Sequence, residues 1–320
     1  MLQDPLFRTP VALPARHVSV GVQTHCLFVG SCFAEEVGRR AQTAGVQAAV
    51  NPCGTLYNMS SLLGALRRWQ TGNTVESGAV FQGTDGLWHS RQHASLCDGQ
   101  TQDECLSLSC AADRAGTQAF AEADIILVTA GTNRLYRHKQ SGQVVANCHK
   151  QPAGEYLEQE QSPEEMVAEW SPWLAALPEG KQVAFTVSPY RYVKYGMHGS
   201  ALSKSALLLA IDALCRMHPN CHYFPAYEIV LDELRDYRFF APDMLHVSAV
   251  AADYVFERFK AWAFTPEMVT FAQEWAELLH RKAHRPRRPG TAAHTHFLEE
   301  TERLADDFSK KWGRPLTIDH

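Results

Sequence analysis

The chain has 320 residues, a net charge of −5 and 45% hydrophobic residues. These are ordinary values for a globular protein, and the mild negative charge argues against a nucleic-acid or anionic membrane-surface partner. No stretch approaches the roughly 18 consecutive apolar residues of a membrane span, and residues 1–15 lack the apolar centre of a signal peptide. We therefore expect a cytoplasmic protein that has no membrane partner.

Strands alternate with amphipathic helices along most of the chain, which predicts a parallel sheet with helices on both faces. A short apolar strand at 26–29 precedes helical periodicity at 33–44. The other predicted strands are 46–50, 124–129, 182–187 and 222–225, with a further edge strand around 18–22. The other predicted helices are 59–69, 111–123, 163–176, 203–217 and 248–263. Residues 135–156 are predicted to be mostly irregular.

The C-terminal part differs in composition from the rest of the chain. Residues 267–280 and 296–311 are predicted helices, separated by a basic break at 281–289. We interpret the break as a solvated connector, since such charge runs usually face water. We therefore predict one domain over residues 1–263 and a C-terminal helical extension, 264–320, packed on the same domain.

The nine cysteines are spread along the chain without a Cys-x-x-Cys pair. Cys105, Cys110, Cys148 and His149 can be combined into a zinc site, but their spacing matches no common ligand pattern. Reduced, mostly buried thiols fit a cytoplasmic chain better. We predict neither a metal nor a cofactor.

Loops at the carboxyl ends of predicted strands carry the groups that acyl transfer requires. Ser31 lies on the turn from the first strand to the first helix, where helix N–H groups stabilise negative charge. Asp243 and His246 share one loop, so the carboxylate can fix the tautomer of an imidazole base. The backbone N–H groups of Ser31 and Gly54 and the side-chain amide of Asn133 are candidate oxyanion donors. Each residue alone is more often a cap or a turn residue, and it is their joint order that favours catalysis.

That order resembles the four blocks of the SGNH (GDSL-like) hydrolase superfamily. Residues 30–34 read Gly-Ser-Cys-Phe-Ala, the name motif of the GSCFA family within it. Further similar motifs lie at 51–58, 88–90, 145–150, 186–189 and 223–243, so the resemblance covers about residues 20–263. It implies an α/β protein with a three-layer α/β/α sandwich and a flavodoxin-like parallel sheet, the SGNH hydrolase fold, here with extra C-terminal helices.

The resemblance also implies a role for each site residue. Ser31 is the nucleophile, His246 the base and Asp243 its orienting acid, and the three donors named above form the oxyanion hole. The superfamily usually has Gly-Asp-Ser, whereas here the serine directly follows glycine and Cys32 takes the next place. Cys32 is therefore an alternative nucleophile, although we expect its thiol to point into the core between helix and sheet.

Polar and aromatic residues near these motifs are candidates for binding substrate. An imidazole or guanidinium can bind substrate hydroxyls or an anionic group, and each can equally be satisfied by its protein neighbours. The candidates are Trp88, His89, His93 and Arg134, with Tyr57 and Arg191 as weaker ones.

We predict a serine esterase that removes a short acyl group such as acetyl from a carbohydrate or another small polar compound, without a cofactor. The alternative is an O-acyltransferase, in which a sugar hydroxyl replaces water and an acyl-CoA-type compound is the donor. The basic stretch 281–288 would suit a CoA phosphate if it folded near the site. A third interpretation is a non-catalytic binding protein on a hydrolase fold. No oligomeric state is predicted.

Overall fold

The computed structural model describes residues 8–149, 151–287 and 289–316. Lys150, of the motif at 145–150, and Arg288, of the basic stretch, therefore lie outside the described residues. The strands are β1 (His25–Gly30), β2 (Gln47–Val50), β3 (Val80–Gln82), β4 (Trp88–Ser90), β5 (Ile125–Ala130), β6 (Arg134–His138), β7 (Val144–Val145), β8 (Tyr156–Glu160), β9 (Gln182–Val187) and β10 (Cys221–Tyr223).

Helices precede and follow most of the strands. They are α1 (Cys32–Thr43), α2 (Met59–Gln70), α3 (Gln102–Glu122), α4 (Pro163–Ala175), α5 (Gly196–Met217), α6 (Ala226–Glu228), α7 (Ala249–Ala263), α8 (Pro266–Ala283) and α9 (Ala292–Trp312). A π-helical turn at Ile229–Leu234 continues α6. None of the described helices is both long and apolar enough to cross a membrane.

Five parallel strands form the central sheet in the order β10-β9-β5-β1-β2. Counted from the β2 edge, successive strands of this sheet run 2-1-3-4-5, which is the flavodoxin-like order. All six residues of β5 are buried, as expected for a parallel strand covered on both faces. The predicted α/β sandwich is confirmed.

Alternation along the strands divides the apolar core into two layers. Phe28 of β1 packs in a cluster with residues of α1, α7 and α8, whereas its neighbour Leu27 packs in a cluster with residues of α2, α4 and α5. Phe271 of α8 and Phe308 of α9 belong to the same cluster as Phe28, and their rings are 5.1 Å apart. The two C-terminal helices thus add to one layer of the sandwich.

Two small antiparallel sheets were not predicted. β3 and β4 form a hairpin, and β6 pairs with both β7 and β8. Most described residues of the stretch 135–156 lie in turns and loops, as predicted, but the stretch also contains most of β6 and all of β7. These strands are short and mix polar with apolar residues, so they carry little local signal of their own. The edge strand expected around residue 20 is an isolated bridge between Val20 and Phe264.

Candidate functional site

A cavity of about 450 Å³ lies at the carboxyl ends of three neighbouring strands. Ser31 follows β1, Gly131 and Thr132 follow β5, and Ser188 follows β9, and all four residues line the cavity. The order of the strands reverses between β1 and β5, and this is where ligands bind in open α/β sheets. Other lining residues are Tyr57, Tyr136, Tyr190, Tyr192, Arg134 and His246.

The turn after β1 depends on a glycine. Gly30 has φ 144°, and a Cβ at this position would lie 2.3 Å from the carbonyl oxygen of Thr129. The side chain of Asn51 accepts the Gly30 N–H at 2.8 Å, and the Ser31 N–H donates to the Thr129 carbonyl at 3.2 Å. Ser31 then caps α1, its Oγ accepting the Phe33 N–H at 3.3 Å. The turn thus holds the Ser31 hydroxyl at the positive end of a helix dipole.

Asp243 and His246 form a carboxylate–imidazole pair. Oδ2 of Asp243 lies 2.5 Å from Nδ1 of His246, while Oδ1 accepts the backbone N–H groups of Leu245 and His246 at 2.9 and 3.0 Å. These hydrogen bonds, first that from the imidazole, lower the pKa of Asp243 to about 2. Met244, at φ 60°, makes the turn between the partners, and the ring of Tyr190 lies 4.4 Å from the imidazole. Because Nδ1 is hydrogen-bonded to Asp243, Nε2 is the ring nitrogen that can accept a proton from another group.

The cavity brings Ser31 and His246 together as lining residues. Within the described residues, no hydrogen bond joins the Ser31 hydroxyl to the imidazole. Hydrogen bonds between a nucleophile and its base are often long without substrate and tighten in the substrate complex. The arrangement therefore supplies a hydroxyl, a base and an orienting acid, but not a preformed bond between hydroxyl and base.

The three predicted oxyanion donors do not converge on this cavity. The Ser31 N–H is used inside its own turn, and the Gly54 N–H donates to the Asn51 carbonyl at 2.7 Å. The amide nitrogen of Asn133 donates to the Gln161 carbonyl at 3.0 Å. Gly54 and Asn133 are also absent from the residues that line the cavity. The Ser31 and Gly54 N–H groups and one N–H of the Asn133 amide already have acceptors within the protein, and of the three residues only Ser31 lines the cavity, so the predicted hole is corrected.

Asn58 offers a donor that the sequence did not single out. Its Oδ1 caps α2 by accepting the Ser61 N–H at 2.8 Å, and the residue lines the cavity. Its Nδ2 has no acceptor among the described residues. The Cys32 N–H donates to no other described residue, whereas the N–H groups that follow it in α1 donate to Ser31. In the sequence, Asn58 looks only like a helix cap, and its place at the cavity arises from a bridge between Asn58 and Thr132, which follows β5.

The Cys32 thiol does not lie where we predicted from the sequence. Cys32 lines the cavity and is half-buried, so the expectation that it points into the core is wrong. Burial raises the pKa of this thiol, although the N–H groups of Phe33 and Cys32 itself act in the opposite direction. The thiol is therefore protonated at neutral pH, which makes it a poor nucleophile.

Two of the predicted substrate-binding residues reach the cavity. Tyr57 and Arg134 both line it. The guanidinium of Arg134 lies 3.7 Å from the ring centre of Tyr195 and forms ion pairs with Glu158, at 3.7 Å, and Glu160. The ring and the two carboxylates hold the guanidinium in place beside the cavity.

The other predicted substrate-binding residues lie elsewhere. Trp88 and His89 belong to β4, away from the cavity lining, and His93 is fully buried 3.3 Å from Asp113. Arg191 packs over the ring of Tyr237, 5.2 Å from its centre. The prediction that Trp88 and His89 line the pocket is therefore corrected, because neither residue is among those that line the cavity.

Lys204 is a further residue that the sequence did not reveal. It lies in α5, is buried, and donates from Nζ to the Gly131 carbonyl at 2.6 Å. Burial lowers its pKa to about 7. Lys204 thus fixes, by a hydrogen bond from α5, the backbone of Gly131, which lines the cavity. A single lysine within a long helix gives no local signal for such a role.

Comparison with known proteins identifies one family. The family model described as the GSCFA family matches residues 25–259, a span that runs from β1 into α7 and includes Ser31, Asp243 and His246. No curated protein and no solved structure matches the chain significantly. The family match is therefore not accompanied by a match to a relative of known activity.

Proposed function

The chain belongs to the GSCFA family, and from this premise we propose that it is an SGNH-type serine hydrolase that cleaves short acyl esters, such as O-acetyl esters. Family membership by itself favours a hydrolase-like enzyme. The observation that carries the proposal is that Ser31 and the Asp243–His246 pair meet at one cavity, at the reversal point of the sheet.

In the proposed reaction, the Ser31 hydroxyl attacks the ester carbonyl and gives its proton to Nε2 of His246. Asp243 stabilises the resulting imidazolium. The tetrahedral oxyanion accepts hydrogen bonds from Nδ2 of Asn58 and from the backbone N–H of Cys32. The imidazolium then protonates the leaving alcohol, and an acyl-serine remains. Water attacks this ester with His246 again as base, which releases the acid and restores the hydroxyl.

The cavity walls support a small, polar substrate. The volume of about 450 Å³ lies toward the lower end of the range for small-molecule sites. Four tyrosines provide flat apolar faces with hydroxyl groups at their edges, and Arg134 adds a guanidinium whose charge is balanced by Glu158 and Glu160. We propose that the alcohol part of the ester is a carbohydrate or a similar polyhydroxy compound.

Among residues 281–287, the described part of the basic stretch, no contact favours an acyl-CoA-type donor. Residues 281–287 do not line the cavity, and Arg281 forms ion pairs with Glu277 at 3.2 Å and Glu300 at 3.5 Å. Hydrolysis is therefore the function we propose. Acyl transfer and a purely binding role are alternative outcomes of the test below.

The test is release of p-nitrophenol from its acetyl ester by wild type, Ser31→Ala and Cys32→Ala. We expect Ser31→Ala to lose at least about a thousandfold in kcat/KM and Cys32→Ala to stay within a few fold. A dead Cys32→Ala would instead identify a cysteine nucleophile. Acetyl recovered on an added sugar would indicate acyl transfer. Equal turnover by all three proteins, or none by wild type, would contradict the proposal.

A further inference from the structure

A second cluster of polar side chains lies next to the β3–β4 hairpin, outside the cavity. Nδ1 of His89 lies 2.9 Å from Oδ1 of Asp98, and Nδ1 of His149 lies 3.6 Å from the same oxygen. All three atoms are buried, and within the described chain none of them has a hydrogen-bond partner. Three orphaned polar atoms that face one another require an explanation, because each such atom costs free energy when buried.

Contacts on the far side of each ring indicate which nitrogen carries the proton. Nε2 of His89 lies 3.0 Å from a carboxylate oxygen of Asp85, and Nε2 of His149 lies 2.8 Å from the carbonyl oxygen of Ser90. Both partners are acceptors, so both Nε2 atoms carry hydrogen and both Nδ1 atoms of the neutral rings present lone pairs. Two lone pairs and a carboxylate oxygen therefore face one point, and a metal ion placed among them, or a further proton, would relieve their repulsion.

We propose that His89, Asp98 and His149 bind a divalent transition-metal ion, with zinc the best fit. Two imidazoles and one carboxylate form a common zinc ligand set that leaves a fourth position for water. Zinc bonds of about 2.0–2.1 Å place neighbouring ligand atoms about 3.3 Å apart in a tetrahedron, and the observed 2.9 and 3.6 Å lie on either side of this value. Asp85 behind His89 matches the carboxylate that commonly orients a metal-binding histidine.

A neighbouring cluster of similar residues does not meet the same requirement for an unpaired carboxylate. Cys53, His93 and Asp113 also converge and are buried. There, however, the Arg68 guanidinium already lies 2.7 Å from the Asp113 carboxylate, which also accepts the indole N–H of Trp69 at 3.2 Å. That carboxylate has its cation, whereas no arginine or lysine of the described chain forms an ion pair with Asp98.

The proposed ion would connect two separate parts of the chain. His89 and Asp98 belong to the hairpin and to the loop after it, whereas His149 follows Asn147 and Cys148, which line the cavity. A metal bond to His149 would hold this wall segment against the hairpin. The proposal does not depend on the esterase chemistry.

The competing explanation is a second proton on His89. Burial opposes a charged ring, but the carboxylates of Asp85 and Asp98 outweigh it and raise the pKa of His89. An imidazolium between two carboxylates would pair with Asp98 without any metal. The two explanations differ in metal uptake, which can be measured directly.

The experiment uses the full-length chain, treated with a chelator and then given Zn²⁺ or Co²⁺. Bound metal is measured by mass spectrometry of the element after gel filtration, and the visible spectrum of Co²⁺ reports coordination number. We expect one tightly bound ion per wild-type chain, a tetrahedral Co²⁺ spectrum and a rise in thermal midpoint on adding Zn²⁺. Asp98→Asn and His149→Gln should lose the ion. His138→Gln, which changes a buried histidine that contacts Ser141 instead, should retain it.

Asp85→Asn provides a variant that leaves the proposed ligands intact. Asp85 is half-exposed and contacts the cluster only through Nε2 of His89, so the fold should survive its replacement. We expect its zinc affinity to fall about tenfold or more, as is typical when a partner of a metal-bound histidine is removed. No uptake by wild type, or uptake that Asp98→Asn leaves unchanged, would overturn the proposal and favour the imidazolium.

Discussion

Replacing Asp243 with Asn tests whether His246 works as an oriented base. The amide oxygen of the introduced asparagine can still accept the N–H groups of Leu245 and His246, now accepted by Asp243 at 2.9 and 3.0 Å, so the turn should persist. Its NH₂ group, however, replaces the oxygen that lies 2.5 Å from Nδ1 of His246. An NH₂ donor pairs only with an Nδ1 lone pair, which moves the ring proton to Nε2. That nitrogen then cannot accept the proton of Ser31.

The wrong tautomer should lower kcat by about 10³–10⁴-fold, with little change in KM, because substrate contacts are untouched. Steady-state hydrolysis of an acetyl ester measures both constants. The pKa of Asp243 is lowered from 3.8 to about 2, so its stabilising charge is fully present above pH 3.8 and is lost as the pH falls toward 2. The acid limb of the wild-type activity profile should therefore not come from Asp243.

Asp236→Asn is the matched control. Asp236 is an exposed carboxylate that caps a nearby turn through the Arg238 N–H at 2.9 Å, and it contacts no imidazole of the described residues. We expect this variant to keep wild-type kcat. Activity of Asp243→Asn within about tenfold of wild type, with folding intact, would refute the assignment of His246 as an oriented base.

Three further substitutions test the scaffold by chemical denaturation. Gly30→Ala should lower the free energy of unfolding by about 3 kcal/mol, because residue 30 has φ 144° and the added methyl would lie 2.3 Å from the Thr129 carbonyl oxygen. A variant as stable as the wild type would contradict the turn geometry. Asp113→Asn should cost about 3–5 kcal/mol by leaving Arg68, 2.7 Å away, without its buried partner; a loss below 1 kcal/mol (about fivefold) would contradict this. Lys204→Met should raise the free energy of unfolding by about 2 kcal/mol at pH 7. Burial lowers the pKa of Lys204 from 10.5 to about 7, so burying this amine costs more free energy than its one hydrogen bond returns. The stability of the wild type should rise from pH 7 toward pH 10.5, because the unfolded chain loses the lysine proton over this range. The stability difference between Lys204→Met and wild type should therefore shrink with pH. A difference that stays constant would contradict a neutral buried amine.

The sequence predicted the parts of the molecule that local patterns determine. The apolar runs that became β1, β5 and β9 are continuous, and the turn after β1 has a glycine and a serine in adjacent positions. Asp243 and His246 are close in sequence, so their pairing required only a local turn. Local patterns therefore sufficed for the sheet and for the carboxylate–imidazole pair.

Contacts between distant residues were not predictable in the same way. Asn133 has the residue type and position expected of an oxyanion donor, but its amide is used by Gln161, 28 residues away. Lys204 meets Gly131 across 73 residues, and His149 approaches Asp98 from a separate loop. Which acceptor a side chain finds depends on how loops pack, and hydrophobic periodicity contains no information on this.

Covalent labelling of the nucleophile tests the central claim most directly. A fluorophosphonate reacts with a serine hydroxyl only when a base activates it, and peptide mass spectrometry then locates the adduct. We predict one adduct, on Ser31, that is absent from Ser31→Ala and forms at least about a hundredfold more slowly in His246→Gln. An adduct on Cys32, or no adduct on the folded wild-type protein, would contradict the assignment of Ser31 as an activated nucleophile.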